Sequence, residues 1–365
     1  MSQKSEPQLD ASQMYRISMV GTSGAGKTCW LACLYNLFQN PRQGFTLLAE
    51  NDQAMDLEDL WEELEDLNAG DEFSIPGTAS ERDFCFKLCF GGRPIAQLNW
   101  ADYRGGLLDV RSSDGDSGES VKELIEQVRG SQSLVLIVDS LQLMLDDQRK
   151  AQRQTKMKRL LRFLQEFIST TEIDPDLCIH ILLTKSEVFL GDLQGVQRLQ
   201  ARCEEMMQGV ISLCQESSVK CRVIPVSVIG QGHRIGEGAP VLSGSVKPIN
   251  ADKPMLGIIR SLLNQRRRKL NTQLSTNQAT LNEYQQATRE AKIESQKARD
   301  REGLFDNIIS SFQGRESGRS QRVRLEEAIG KLGSSTDHVL STIGILQQQL
   351  EKMECALSRL EGEFK

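Results

Sequence analysis

Long apolar runs are missing from this sequence: no stretch of the 365 residues stays hydrophobic for the length that a bilayer-spanning helix needs. The first fourteen residues, Met1 to Met14, are polar and lack the apolar stretch of a secretory signal, so a soluble or at most peripheral protein is expected. A basic excess is missing too. With a formal net charge of -6 the chain does not suit bulk nucleic-acid binding, and no nucleic-acid partner is expected. A disulfide framework is also lacking: nine cysteines are an odd number at irregular spacing, which suits a reducing, cytoplasmic setting. Cys29 and Cys33, and Cys85 and Cys89, recur four residues apart, but one pair falls on a helix and the other on one strand face, so packing is expected rather than metal binding. The three histidines, His180, His233 and His338, are too dispersed for a site. Aromatics are few, at 5%, as long polar helices tend to make them.

What remains is a soluble composition, 39% hydrophobic and 26% charged, in a chain long enough for one ordinary domain and an appendage. Tyr15 to Val20 reads as a short strand, followed by a glycine-rich turn and an apolar helix over Cys29 to Phe38. Leu57, Leu60, Trp61, Leu64 and Leu67 mark an acidic amphipathic helix within Glu50 to Leu67, which has the look of an insertion. Asp83 to Phe90 and Ile95 to Trp100 read as strands joined by a hairpin at Gly91-Gly92.

Ser133 to Asp139 and Cys178 to Leu183 are apolar on both faces, as central parallel strands are, and Cys221 to Val228 supplies a last strand. Helical stretches from Leu141 to Phe167 and Val196 to Cys214 alternate with them. The expected fold is α/β: a mostly parallel, doubly wound sheet covered by helices.

Gly230 to Pro254 reads as loop, and Met255 to Leu263 as the domain's last helix, continuing through Arg266-Arg267-Arg268 into a long polar one. In the C-terminal run Leu325, Ile329, Leu332, Thr336, Val339, Ile343, Leu346, Leu350, Met353, Leu357, Leu360 and Phe364 alternate steps of four and three, the heptad signature. A weaker seam at Leu270, Leu274, Asn277, Leu281 and Tyr284 leaves two arrangements open, an antiparallel hairpin or pairing between chains. The expected division is a polar leader (1–14), an α/β domain (15–265) and a helical coiled-coil arm (266–365) that engages a protein partner or a second copy. Within the arm, Leu304 to Phe312 presents one apolar face flanked by Arg299, Arg301, Arg315, Arg319, Arg322 and Arg324. Peripheral membrane contact would use such a face, although packing on the arm or a partner is the preferred reading because the segment is short and holds Asp306.

The chemistry starts at Gly21-Thr22-Ser23-Gly24-Ala25-Gly26-Lys27-Thr28, a full match to G-x-x-x-x-G-K-[ST] between a strand and a helix. Main-chain amides of Gly21, Ser23, Gly24, Ala25 and Gly26 converge on phosphates, Lys27 supplies a cation to the terminal ones, and Thr28 offers its hydroxyl to Mg2+. Asp102-Tyr103-Arg104-Gly105 ends a strand, where the Asp102 carboxylate holds the metal through water and the Gly105 amide faces the γ-phosphate.

In these two motifs, in this order, the chain resembles the Ras-like P-loop GTPases of the translation-factor-related (TRAFAC) class, over roughly Tyr15 to Leu263. The resemblance implies GTP and GDP as ligands and slow conversion of GTP to GDP and phosphate. It implies that Thr78, in the segment before the strand at Asp83, closes on the metal. It also implies that Thr184-Lys185-Ser186-Glu187 is the guanine-reading [NT]-K-x-D signature, with Glu187 in place of Asp, and that Ser227 touches the guanine carbonyl. Where many relatives have a water-orienting glutamine this chain has Gly106, so help is expected from a partner, self-association or Arg104. The stretch from Asp109 to Ser120 reads as an extended switch loop or a plain surface loop. A P-loop ATPase, and a scaffold or membrane-associated dynamin-like protein that binds GTP structurally, are the rival readings.

Overall fold

The computed structural model describes residues 14–65, 82–102, 117–170, 177–191, 193–230, 233–235, 240–242, 246–302 and 318–361. Its first part is built on β1 (Met14–Gly21), β2 (Phe45–Ala49), β3 (Arg82–Phe90), β4 (Arg93–Asp102), β5 (Ser133–Asp139), β6 (Cys178–Thr184) and β7 (Lys220–Pro225). They form one seven-stranded sheet in the order β2-β3-β4-β1-β5-β6-β7. From β4 to β7 all neighbours are parallel, while β2–β3 and β3–β4 are antiparallel. This is the mostly parallel α/β sheet expected from the alternation of apolar strands and helices.

The burial pattern explains the layering. Strands β5 and β6 are buried at every position. One face of the sheet, with Leu134, Leu136 and Val138 of β5 and Ile179, Ile181 and Leu183 of β6, packs against Phe163 and Phe167 of α6 (Met157–Thr170) and Met207 and Val210 of α8 (Leu193–Glu216). The alternate residues face the other layer. There Trp30 of α1 (Lys27–Gln39) meets Trp100 of β4 with ring centroids 5.5 Å apart, and Gly257 of α9 (Lys253–Glu302) lies against His180 of β6. Period-2 side chains covered from both sides are why these strands read as unbroken apolar runs.

Several expectations are corrected. The strand β2 is an element that periodicity did not reveal: it is short and enters from a tight turn in which Gln43 and Gly44 both have positive φ and Arg42 and Phe45 exchange backbone hydrogen bonds. The helix expected over Leu141 to Phe167 is three helices, α4 (Ser140–Leu143), α5 (Gln148–Gln154) and α6. Asp147 caps α5 by accepting from the amides of Arg149 and Lys150, and Lys156 turns into the left-handed region before α6, so local side-chain and backbone geometry interrupts the run. The Ser117 to Ser120 end of the expected switch loop begins α3 (Ser117–Val128), stabilised by burial of Leu124, Ile125 and Val128 at helical spacing; residues 109–116 lie outside the described set. The last parallel strand stops at Pro225, because beyond Val226 the chain leaves β6 and Ser227 exchanges hydrogen bonds with Ile249 instead. Within the stretch read as loop, His233–Ile235 and Pro240–Leu242 pair as a small antiparallel β8–β9 hairpin, and α9 starts at Lys253. The acidic helix is α2 (Asn51–Glu65), which buries Leu57, Trp61 and Leu64.

The chain divides into two compact units, one holding the described residues up to Leu262 together with Arg359, Leu360 and Glu361, the other running from Leu263 to Ser358. The second contains most of α9 and of α10 (Gly318–Glu361). On α10 the four-three seam is the covered side: Ile343, Leu346, Met353 and Leu357 are buried and Leu325, Ile329, Leu332, Val339 and Leu350 half-buried within a single chain. On α9 Leu270 is buried, with Leu274, Asn277, Leu281 and Tyr284 half-buried. No helix among the described residues is long and apolar enough to cross a membrane. The apolar segment from Leu304 to Phe312 lies outside the described residues.

Candidate nucleotide site

Parallel strands bring the ends of β1, β4, β5 and β6 to one edge of the sheet, since Met19 is in register with Asp102, Gly21 with Ile137, and Asp139 with Thr184. That edge is where open α/β sheets place their ligands. The phosphate-loop sequence leaves β1 there. Gly21 must be glycine for space: a Cβ on it would stand 2.7 Å from the Ile137 carbonyl oxygen. Gly26 must be glycine for conformation, because it caps α1 in the left-handed region at φ 85°. Gly26, the residue that caps α1, has no side chain to offer the first amides of the helix, and an N-terminus capped in this way is suited to an anion.

The side chains of the loop are arranged around it. Lys27 is buried and its Nζ donates to the carbonyl oxygens of Gly21 and Thr22, both at 3.2 Å, so the ammonium sits under the loop. Ala25 donates its amide to the Thr22 carbonyl at 3.3 Å, closing a turn that leaves Ser23 and Gly24 exposed. Thr28 Oγ1 donates to Asp102 Oδ2 at 3.5 Å, across 74 residues of chain. Asp102 is 1% exposed at the very end of β4. A hydroxyl and a carboxylate side by side at a phosphate-binding loop are a hard oxygen pair of the sort that Mg2+ shares with phosphate and water, so the donor set fits that ion.

The second cluster closes the other end of the site. Thr184 Oγ1 donates to the Ala25 carbonyl at 2.7 Å and approaches that of Val138 at 3.2 Å, tying the phosphate loop to the β5 and β6 ends. Lys185, the next residue, has φ 55°, and its Nζ pairs with Asp139 Oδ2 at 2.6 Å. Glu187 opens α7 (Glu187–Leu190), and its Oε2 accepts from Ser227 Oγ at 2.9 Å. Burial pushes the Glu187 carboxyl above its usual range, against the opposing effects of its own backbone hydrogen bond, of Ser227 and of Lys185. Ser186 is buried, with its hydroxyl against that of Ser140 at 2.9 Å.

Lys27, Thr28 and Asp102 therefore meet at one end, and Thr184, Lys185, Glu187 and Ser227 at the other, with Ala25 as the link. Thr78, Arg104, Gly105 and the neighbouring Gly106 lie outside the described residues. Asp139 was missed by reading the sequence, although a carboxylate closing an otherwise apolar strand, next to a serine, is a visible signal.

A phosphate loop after β1, an aspartate at the end of the adjacent β4, and a Thr-Lys pair after β6 are together the arrangement of a P-loop GTPase-like domain. Residues 18–175 match the model of the Double-GTPase 1 family. Among solved structures the chain is similar to the GTPase-like domain of S. cerevisiae Ski7. The GTP-bound form aligns at 12% identity and a TM-score of 0.39, over 69% of this chain and 52% of that one. The form bound to GDP and inorganic phosphate aligns at 12% identity and a TM-score of 0.38, over 67% and 49%. The chain thus spans about half the length of these structures. No curated protein matches it.

Proposed function

We propose that the protein is a GTP-binding switch with slow intrinsic hydrolysis, acting in the cytoplasm and passing its nucleotide state to a protein partner, or to a second copy, through a coiled-coil arm. The observation that carries this reading is the Thr184–Ala25 hydrogen bond, which couples a complete phosphate loop to a guanine-type cluster on the same sheet edge. The amides of Gly21 to Gly26 and the Lys27 ammonium hold the phosphates, and Thr28, Asp102 and, by resemblance, Thr78 hold Mg2+. The ion, when bound, neutralises charge on the β- and γ-phosphate oxygens. Lys185 flanks the base, Glu187 accepts from its edge, and Ser227 sets the Glu187 carboxylate.

Hydrolysis is slow because Gly106 has no side chain to orient water, and the Gly105 amide facing the γ-phosphate does not replace that group. Arg104, or a residue brought by a partner, supplies charge to the leaving phosphates; an arginine so placed is worth on the order of 10³ or more in rate. Direct titration with fluorescent guanine and adenine nucleotides, with and without Mg2+, tests the binding claim. Guanine preference that needs the metal and vanishes in Lys27→Ala is expected, and equal binding of ATP would replace this reading with an ATPase. Single-turnover hydrolysis measured across protein concentration tests the rest, since fast turnover by dilute monomer is incompatible with it. The covered four-three seams favour one further reading, a scaffold whose arm works irrespective of nucleotide; unchanged partner binding by Lys27→Ala would support it.

A further inference from the structure

We infer that Asp139 is a positioning residue for guanine recognition, anchoring Lys185 so that its stem forms one wall of the base site. The inference rests on the guanine reading above and adds a residue that no motif of the phosphate or base site contains. Asp139 ends β5 and is 7% exposed. Its two oxygens have different tasks. Oδ1 accepts from the amides of Leu141 at 2.9 Å and Gln142 at 3.2 Å, capping α4 and locking the orientation of the carboxylate. Oδ2 is thereby aimed across the strand ends at Lys185 Nζ, 2.6 Å away.

Lys185 needs such an anchor. Its side chain is 37% exposed, and a free lysine stem samples many rotamers, each removing the flat apolar wall that a purine packs on. A charge-assisted bond to an oriented, nearly buried carboxylate selects one of them. The backbone of Lys185 is in the left-handed region, held by Thr184 on one side and by the Ser186 amide donating to Val226 on the other. Both ends of the lysine are therefore fixed, the Cα by the loop and the ammonium by Asp139. The same carboxylate and ammonium also act on the Glu187 carboxyl, with opposite signs.

The test uses Asp139→Asn on the full-length chain. Asparagine keeps an oxygen for the α4 cap and loses the charge that holds the ammonium. GTP affinity is expected to fall about tenfold, the low end for loss of a charge-assisted bond at a partly exposed lysine. ATP affinity and the unfolding midpoint of the nucleotide-free protein should barely move. Lys185→Met, which keeps an apolar stem, should reproduce the loss, and adding Asp139→Asn to it should have no further effect. Equal losses for GTP and ATP, unchanged GTP affinity in either single variant, or additive losses in the double variant would each overturn the inference. Should Asp139→Asn fail to fold, Lys185→Met alone decides, with unchanged GTP affinity again refuting. Wild-type protein that binds GTP and ATP equally would overturn the guanine reading beneath it, an outcome distinct from the others.

Discussion

His180 makes the α/β domain sensitive to acid in a way that can be calculated. It sits in the middle of β6, wholly buried, with Nε2 3.1 Å from Cys178 Sγ, and its Nδ1 has no hydrogen-bond partner among the described residues. Burial, reinforced by Arg222 on the neighbouring strand, lowers its pKa from 6.5 to about 3. Between those values the unfolded chain carries a proton on this ring and the native chain does not, so native stability falls as the pH drops through that window. From pH 7 to pH 4.5 the loss is about two pH units of linkage below 6.5, on the order of 2 to 3 kcal/mol.

Other groups titrate over the same range, so the measurement is a difference. Urea unfolding followed by tryptophan emission reports on this domain, because Trp30, Trp61 and Trp100 all lie in it and are buried. His180→Leu removes the titration, and its effect on packing enters equally at both pH values. The variant should lose about 2 to 3 kcal/mol less than the wild type between pH 7 and pH 4.5. Parallel losses in the two proteins would refute the reasoning and show that the native state accepts the proton.

Acidification should also weaken guanine-nucleotide binding at a pH above the ordinary carboxylate range, because burial raises the Glu187 pKa and the base needs the ionised form. Glu187→Gln should bind weakly at every pH, and a pH profile shared by the variant and the wild type would exclude Glu187 as its source. Thr28→Ala removes one of the two oxygens found together at the phosphate loop. Nucleotide affinity in excess Mg2+ should drop at least tenfold, to the level that the wild type shows in chelator, on the scale of a lost ligand to a buried charge; a metal titration identical to that of the wild type would contradict this. Phe163→Ala, in the layer under β5 and β6, should destabilise the domain by about 3–5 kcal/mol in urea unfolding at neutral pH, as emptying a fully buried aromatic site does.

The central strands and the phosphate site were legible in the residues because each depends on local pattern. Ser133–Asp139 is a strand end to end as read, since seven positions covered on both faces leave an unbroken apolar signature. Gly21 to Thr28 was legible because a loop that wraps phosphates with its own amides needs glycines at set places, wherever the rest of the chain goes. The short strand β2, the breaks between α4, α5 and α6, and the start of α3 were not legible, because a tight turn, an Asp147 cap and three buried apolar residues outweighed periodicity and composition there.

By itself, then, the order of residues determined that this is an α/β protein with a phosphate loop after its first strand and two long seamed helices after its last. Only the tertiary structure decided the contacts made at the sheet edge: the motifs already set Thr28 with Asp102 and Glu187 with Ser227 around shared ligands, but nothing in them paired Asp139 with Lys185. The physical reason is that strand order and register are set by long-range packing. Residues 40 to 74 positions apart become neighbours only when parallel strands align their ends, and no local pattern records that alignment.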